Sequence, residues 1–230
     1  MKLKKWLIDY IPMGLTAILI IYFAVIHEQS FLKTLPTLIT LVVQLLLVAA
    51  NRYSFLLGGL NCALYGIAYF TEGLYFSTIF SVLVSMPLQI FSFFNWKKHK
   101  QKGVSAELQF LSWKQRILTT LVTLVCWVAC YFLMTPLFKT ANVPSLDALC
   151  FVIGVVVSIL SAFRYIDSQS INLINCGVQV FIWTLLTIKN PGNFNYVIIS
   201  CYNLFRIVEA AVMWTRQYNQ TQKEKESTAQ

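Results

Sequence analysis

Long stretches of this chain carry no charge at all. Residues 53–71, 73–96, 117–138 and 168–188 contain no Asp, Glu, Lys or Arg. Each approaches the ~20 residues that, at about 1.5 Å apiece, cross a ~30 Å hydrocarbon layer. Only a lipid bilayer or a very large core hides such spans. The chain has 230 residues, 57% hydrophobic and 12% charged, where a soluble domain carries about 25% charged residues. A soluble fold of this size lacks the polar surface to cover that much apolar area. Eight apolar segments are read, at about 10–27, 34–50, 54–71, 74–95, 117–138, 146–163, 169–188 and 194–214. The expected fold is an all-α integral membrane protein of eight spans. The first segment follows "MKLKKW" as a signal peptide would, but only "VIHEQSFLK" comes after it. Without a small-residue cleavage site it is expected to stay as a helix.

The charge pattern orients these spans. An even number puts both termini and the middle loop on one side. That side collects fourteen Lys and Arg, among them the run "KKHKQK" (97–102), against Lys33, Lys139 and Lys189 opposite. The net charge of +9 therefore reads as a cytoplasmic basic bias rather than as a nucleic-acid surface. The predicted location is a bacterial inner membrane, with both termini cytoplasmic. The six cysteines lie in apolar runs with no metal spacing and read as free thiols. No G-x-x-x-x-G-K-[ST] loop, HExxH or Ser/His/Asp set appears, so neither ATP hydrolysis nor an intramembrane enzyme is expected, and no cofactor or metal.

The chain also repeats itself. "VVQLLLVAANRYSFLLGGLNCALYGIAYF" lies over "VVVSILSAFRYIDSQSINLINCGVQVFIW". Arg52-Tyr53 aligns with Arg164-Tyr165, and Asn61-Cys62 with Asn175-Cys176 after a two-residue shift. Trp96 and Trp214 close the two halves. The step between copies is four spans, which makes them parallel repeats about an axis along the membrane normal. The divisions are an N-terminal stub and extra helix (1–30), a first three-helix repeat (31–96) and a basic loop (97–116). A linker helix (117–138), a second repeat (139–214) and a polar tail (215–230), expected to be frayed, complete the chain. "ELQFLSWKQR" within the loop reads as solvated, with an interfacial amphipathic stretch as the alternative.

Polar residues at helical spacing mark faces that line a path or bond helix to helix. Asn172, Asn175, Gln179 and Trp183 share one face; Ser81, Ser85, Gln89, Ser92 and Trp96 share another. Thr37, Thr40 and Gln44 form a third face, and Ser200, Asn203, Arg206 and Glu209 a fourth. Arg206 and Glu209 read as a salt bridge. Tyr65 sits one turn beyond Asn61. Asn61 and Asn175 are both about 10 Å deep. The candidate substrate-binding set is Asn61, Asn175, Gln179, Gln89, Gln44, Tyr65, Asn172, Trp183, Asn203 and Trp96. Pro87 kinks its span, as a gating hinge or a static bend. Such a lining suits an uncharged or weakly charged, ring-bearing small molecule.

"NRYSFLLGGLNCALYGIAYFTEGLYFSTIFSVLVSMPLQIFSFFNWKKH" resembles the PnuC-type vitamin transporters, best known for nicotinamide riboside. The shared pattern is an apolar helix with a central Asn, then "GLY", then a helix ending "NW" and basic residues. The resemblance implies SWEET-like three-plus-one-plus-three parallel repeats with one additional N-terminal helix. It also implies facilitated diffusion without ATP, trapping by a cytoplasmic kinase, and a homotrimer. Members for nicotinamide riboside commonly show W-x-x-W where this chain has "DSQSINLIN" (167–175), and often G-W-x-x-W where it has "SFFNW". Relatives for thiamine, riboflavin or deoxynucleosides are the alternatives; a non-transporting membrane scaffold is the reading of another class.

Overall fold

A computed structural model describes residues 2–98 and 108–229. Eight long helices account for most of them. They are α1 (Lys2–Ile26), α2 (Phe31–Val48), α3 (Tyr53–Thr71), α4 (Tyr75–Lys98), α5 (Trp113–Met134), α6 (Pro144–Ala162), α7 (Asp167–Lys189) and α8 (Phe194–Ala229). Seven are long and apolar enough to cross a membrane, and α1 adds the shorter apolar stretch Tyr10–Ile26. Apart from residues 99–112 between α4 and α5, the connections are nine residues or fewer, so the helices they join run antiparallel. We call the ends "termini face" and "far face"; the α2–α3 and α6–α7 turns lie on the first.

Six helices close a ring. α2 packs on α3, α3 on α4, α4 on α6, α6 on α7, α7 on α8, and α8 back on α2. α1 packs outside on α2 and α8, and α5 outside on α6. Most of α5 faces outward, with Leu118, Val125, Phe132 and Leu133 among its exposed side chains.

The α2–α3 and α6–α7 turns are built alike. Ala50 and Arg164 both have a left-handed backbone, with φ of 49° and 67°. Ala50 N–H bonds Leu47 O and Asn51 N–H bonds Leu46 O; Arg164 N–H bonds Ser161 O and Tyr165 N–H bonds Leu160 O. Both are the same helix-ending motif, which satisfies the last carbonyls. This geometry corrects the expected alignment: Arg164 corresponds to Ala50, not to Arg52. The spacing that carries Ala50 onto Arg164 also carries Asn61 onto Asn175, with no loop shift.

The indoles exchange partners in the same way. Trp214 Nε1 donates to Leu47 O at 3.1 Å and Trp96 Nε1 to Ser161 O at 2.9 Å. Trp96, near the end of α4, thus bonds α6, and Trp214, within α8, bonds α2. Their rings meet at 5.4 Å, and Ala50, Phe55, Leu108 and Ile166 complete this buried apolar cluster.

Close packing of α3 on α4 depends on glycine. A Cβ on Gly58 would lie 2.1 Å from Gln89 Oε1, and one on Gly66 2.5 Å from Val82 Cγ2. Pro87 sits just after a wider, π-helical turn over Phe80–Ser85, whose end is marked by Met86 N–H bonding Ser81 O. Proline cannot donate to the carbonyl four residues back, and the helix widens upstream to accommodate it.

Two expectations for the polar segments are corrected. The tail after Trp214 is not frayed: α8 continues to Ala229, because a Gln-, Lys- and Glu-rich stretch readily extends a helix already nucleated. Residues 99–107 of the basic loop lie outside the described residues. The rest of that loop is not simply solvated. Leu108 and Leu111 are buried, and Gln109 pairs with the α6–α7 turn through Arg164 O and Ile166 N. Ser112 and Gln115 then cap α5 reciprocally.

Candidate functional site

The ring encloses a cavity of about 180 Å³. α7 contributes Asn172, Asn175, Cys176, Gln179 and Trp183, and α8 contributes Tyr196, Ile199, Ser200 and Asn203. Thr40 and Gln44 come from α2, Tyr65 and Tyr69 from α3, Ser77 and Phe80 from α4, and Cys150 from α6. Seven of the ten sequence candidates therefore meet here: Gln44, Tyr65, Asn172, Asn175, Gln179, Trp183 and Asn203.

The far end of the cavity is aromatic. Trp183 stacks on Tyr196 at 4.2 Å and on Tyr69 at 6.0 Å, and Tyr69 stacks on Tyr65 at 5.5 Å. These four rings offer π faces to an aromatic or cationic ring. Tyr196 OH donates to Lys33 O, which ties the aromatic wall to the far-face connection. There Lys33 Nζ meets Glu72 Oε1 at 2.6 Å, and Asn193 Nδ2 donates to Glu72 Oε2 at 2.6 Å. Gln29 bonds Asn195 and Gly192 in the same layer.

The middle of the cavity is amide-rich. Gln44 Oε1, Asn175 Oδ1 and Asn203 Oδ1 are buried and have no hydrogen-bond partner among the described residues. Unpaired buried acceptors are costly, so a ligand or water is their natural partner. Among the described residues the lining contains no Lys, Arg, His, Asp or Glu. The nearest charge by hydrogen bonding is Asp147, fully buried behind Ser77. Its carboxylate accepts from Phe76 N–H, Ser77 N–H and Ser77 Oγ. It thereby caps the start of α4 and fixes the segment that presents Ser77 and Phe80. Phe80 reaches the cavity over Gly154, whose missing Cβ leaves room for the ring.

Three sequence candidates stand elsewhere. Asn61 is buried between α2 and α3, where Nδ2 donates to Pro36 O and Thr40 Oγ1, each at 3.0 Å. It touches the site only through Thr40, whose hydroxyl bonds Tyr65 OH at 3.0 Å. Gln89 Nε2 donates to Ser85 Oγ and Cys62 Sγ and faces a different cavity. Trp96 is in the apolar cluster at the termini face. The Ser-rich α4 face holds helices together: Ser81 Oγ donates to Cys62 O. Arg206 and Glu209 pair at 2.8 Å, away from the lining.

Sequence reading missed Tyr69, Tyr196, Ser77, Phe80, Cys150 and Cys176. Tyr69 was within reach, one helical turn beyond Tyr65. Tyr196 and Ser77 lie in first turns, where no periodic stripe has begun.

Residues 30–216 match the family described as nicotinamide mononucleotide transporters. The chain belongs to that family. It is 23% identical over 223 residues to the nicotinamide riboside transporter PnuC of Neisseria mucosa, covering 92% of this chain and 80% of that one. Its fold is similar to the crystal structure of the vitamin B3 transporter PnuC, with a TM-score of 0.79 and 17% identity. That match covers 93% of this chain and 92% of the other. As a family member the chain is a multi-pass membrane transporter, not an enzyme.

Proposed function

We propose that this transporter is an uptake facilitator for nicotinamide riboside. The observation that carries the reading is the cavity itself, where stacked rings sit at one end and unpaired amides in the middle. A nicotinamide ring stacks on Tyr69, Trp183 and Tyr196, and its positive charge is met by their faces. Its carboxamide and ribosyl hydroxyls meet Gln44, Asn175 and Asn203, with Asn172 and Gln179 beside them. A phosphate fits poorly, because a desolvated dianion needs a cationic partner and the lining has none. The riboside is therefore favoured over the mononucleotide.

Movement follows from alternating access between the halves 31–96 and 139–214, read as parallel repeats like those of the SWEET transporters. The ring order supports this, since α2 meets α8 as α4 meets α6. Pro87 and its widened turn are the proposed hinge. Transport needs no ATP here, and cytoplasmic phosphorylation traps the solute. The Lys and Arg bias supports a bacterial inner membrane with both termini cytoplasmic, where a homotrimer is the expected assembly.

The test is uptake into vesicles that contain the purified protein. Nicotinamide riboside is expected to enter and to compete with itself. The mononucleotide, thiamine, riboflavin and deoxynucleosides are expected to compete at least about tenfold less well, the scale of one unmet buried polar group. Equal competition by the mononucleotide overturns the reading.

A further inference from the structure

A second cavity, of about 170 Å³, lies nearer the termini face. Shared residues fix its place. Asn172 lines both cavities. Leu47, Phe55 and Ser161 line the second one and also hold the tryptophan pair. The carbonyls of Leu47 and Ser161 accept from the two indoles, and Phe55 packs on Trp96 at 4.9 Å. The second cavity therefore stands between the first and the Trp96–Trp214 closure.

Its polar groups are not used up by the fold. Ser54 and Gln169 are each 2% exposed, yet Ser54 Oγ and Gln169 Oε1 have no hydrogen-bond partner among the described residues. Groups so deeply buried are normally paired, and both line this cavity. Its one aromatic residue, Phe55, is engaged with Trp96, so no free stacking wall is present.

We propose that this cavity is a second solute subsite, entered past Asn172, that holds the hydroxylated half of the solute by hydrogen bonds alone. A ring-bearing solute binds more weakly here than against the four stacked rings. Passage requires sites that accept the solute without retaining it, and a site without stacking suits the last step before the tryptophans part. This inference rests on the riboside reading.

The experiment measures nicotinamide riboside binding by calorimetry and its uptake into vesicles. It compares wild type, Gln169→Leu, and Ser158→Phe, which fills the same cavity from α6; thermal unfolding checks each fold. Both variants are expected to keep the wild-type Kd within about twofold while the maximal uptake rate falls about tenfold or more. If either folded variant transports at the wild-type rate, the subsite is refuted and the riboside reading stands. If affinity falls in proportion to uptake, Gln169 belongs to the first cavity and the separate subsite is refuted. If Gln169→Leu does not fold, Ser158→Phe decides alone. If wild type neither binds nor carries the riboside, the functional reading falls and takes the subsite's occupant with it.

Discussion

Asn61 and Asn175 occupy corresponding positions of α3 and α7, and they have opposite fates. Asn61 is consumed by its neighbour: α2 offers the Pro36 carbonyl and the Thr40 hydroxyl, and both take its amide protons. The corresponding positions of α6 are Cys150 and Gly154. Glycine offers no hydroxyl in place of that of Thr40, and Asn175 lines the cavity. Oδ1 is unpaired in both asparagines, so the difference lies in the amide N–H groups that Asn61 gives to α2. The same residue type bonds helix to helix at one position and lines the cavity at the other, according to what the adjacent helix presents.

The sharpest way to break this comparison is to remove each amide in turn. Asn175→Leu is expected to cut nicotinamide riboside uptake about tenfold or more, since it removes a contact that only the solute uses. Thermal unfolding should be unchanged or slightly raised, because an unpaired buried amide gives way to an apolar side chain of similar size. Loss of fold together with activity would show that Asn175 is structural.

Asn61→Leu should do the reverse. Pro36 O and Thr40 Oγ1 each lose one donor but keep their bond to one another, and Thr40 keeps Tyr65, so stability is expected to fall by about 0.5–1.5 kcal/mol, read by thermal unfolding in detergent. Riboside affinity should stay within about twofold, because Asn61 reaches the site only through Thr40 and Tyr65. An intact fold with abolished binding would erase the distinction.

The comparison also explains what the sequence reveals. Span number, helical class and the α7 face Asn172–Asn175–Gln179–Trp183 follow from hydropathy and from the three- and four-residue period. Those signals live within one helix. Whether Asn61 lines a cavity depends on Thr40 of another helix, and no periodicity in α3 reports that. Gln89 misleads for the same reason: Ser85 and Cys62 claim its amide. Tyr196 completes the aromatic wall only because the α7–α8 turn folds it back onto Trp183. The turns were legible in kind but not in register. Arg52 and Arg164 look alike in sequence, yet the left-handed backbone falls on Ala50 and Arg164.

The smallest expected effect lies at the far face, where the two halves differ again. Lys33 of α2 and Asp147 of α6 are corresponding residues in the first turns of their helices. Asp147 is fully buried and caps α4 through three hydrogen bonds, whereas the Lys33 side chain is 27% exposed and pairs with Glu72. A partly exposed ion pair contributes about 0–1 kcal/mol and weakens with salt. Glu72→Gln removes the charge but keeps an oxygen for Asn193, so stability should change by less than about 1 kcal/mol. Its effect should appear in kinetics. If Lys33–Glu72 helps hold the far face shut, wild-type uptake rises with ionic strength, and Glu72→Gln starts at the higher rate with the salt response flattened. A variant that keeps the full wild-type salt dependence would show that this pair does not gate the far face. The contrast between the two first-turn positions would then be one of packing alone.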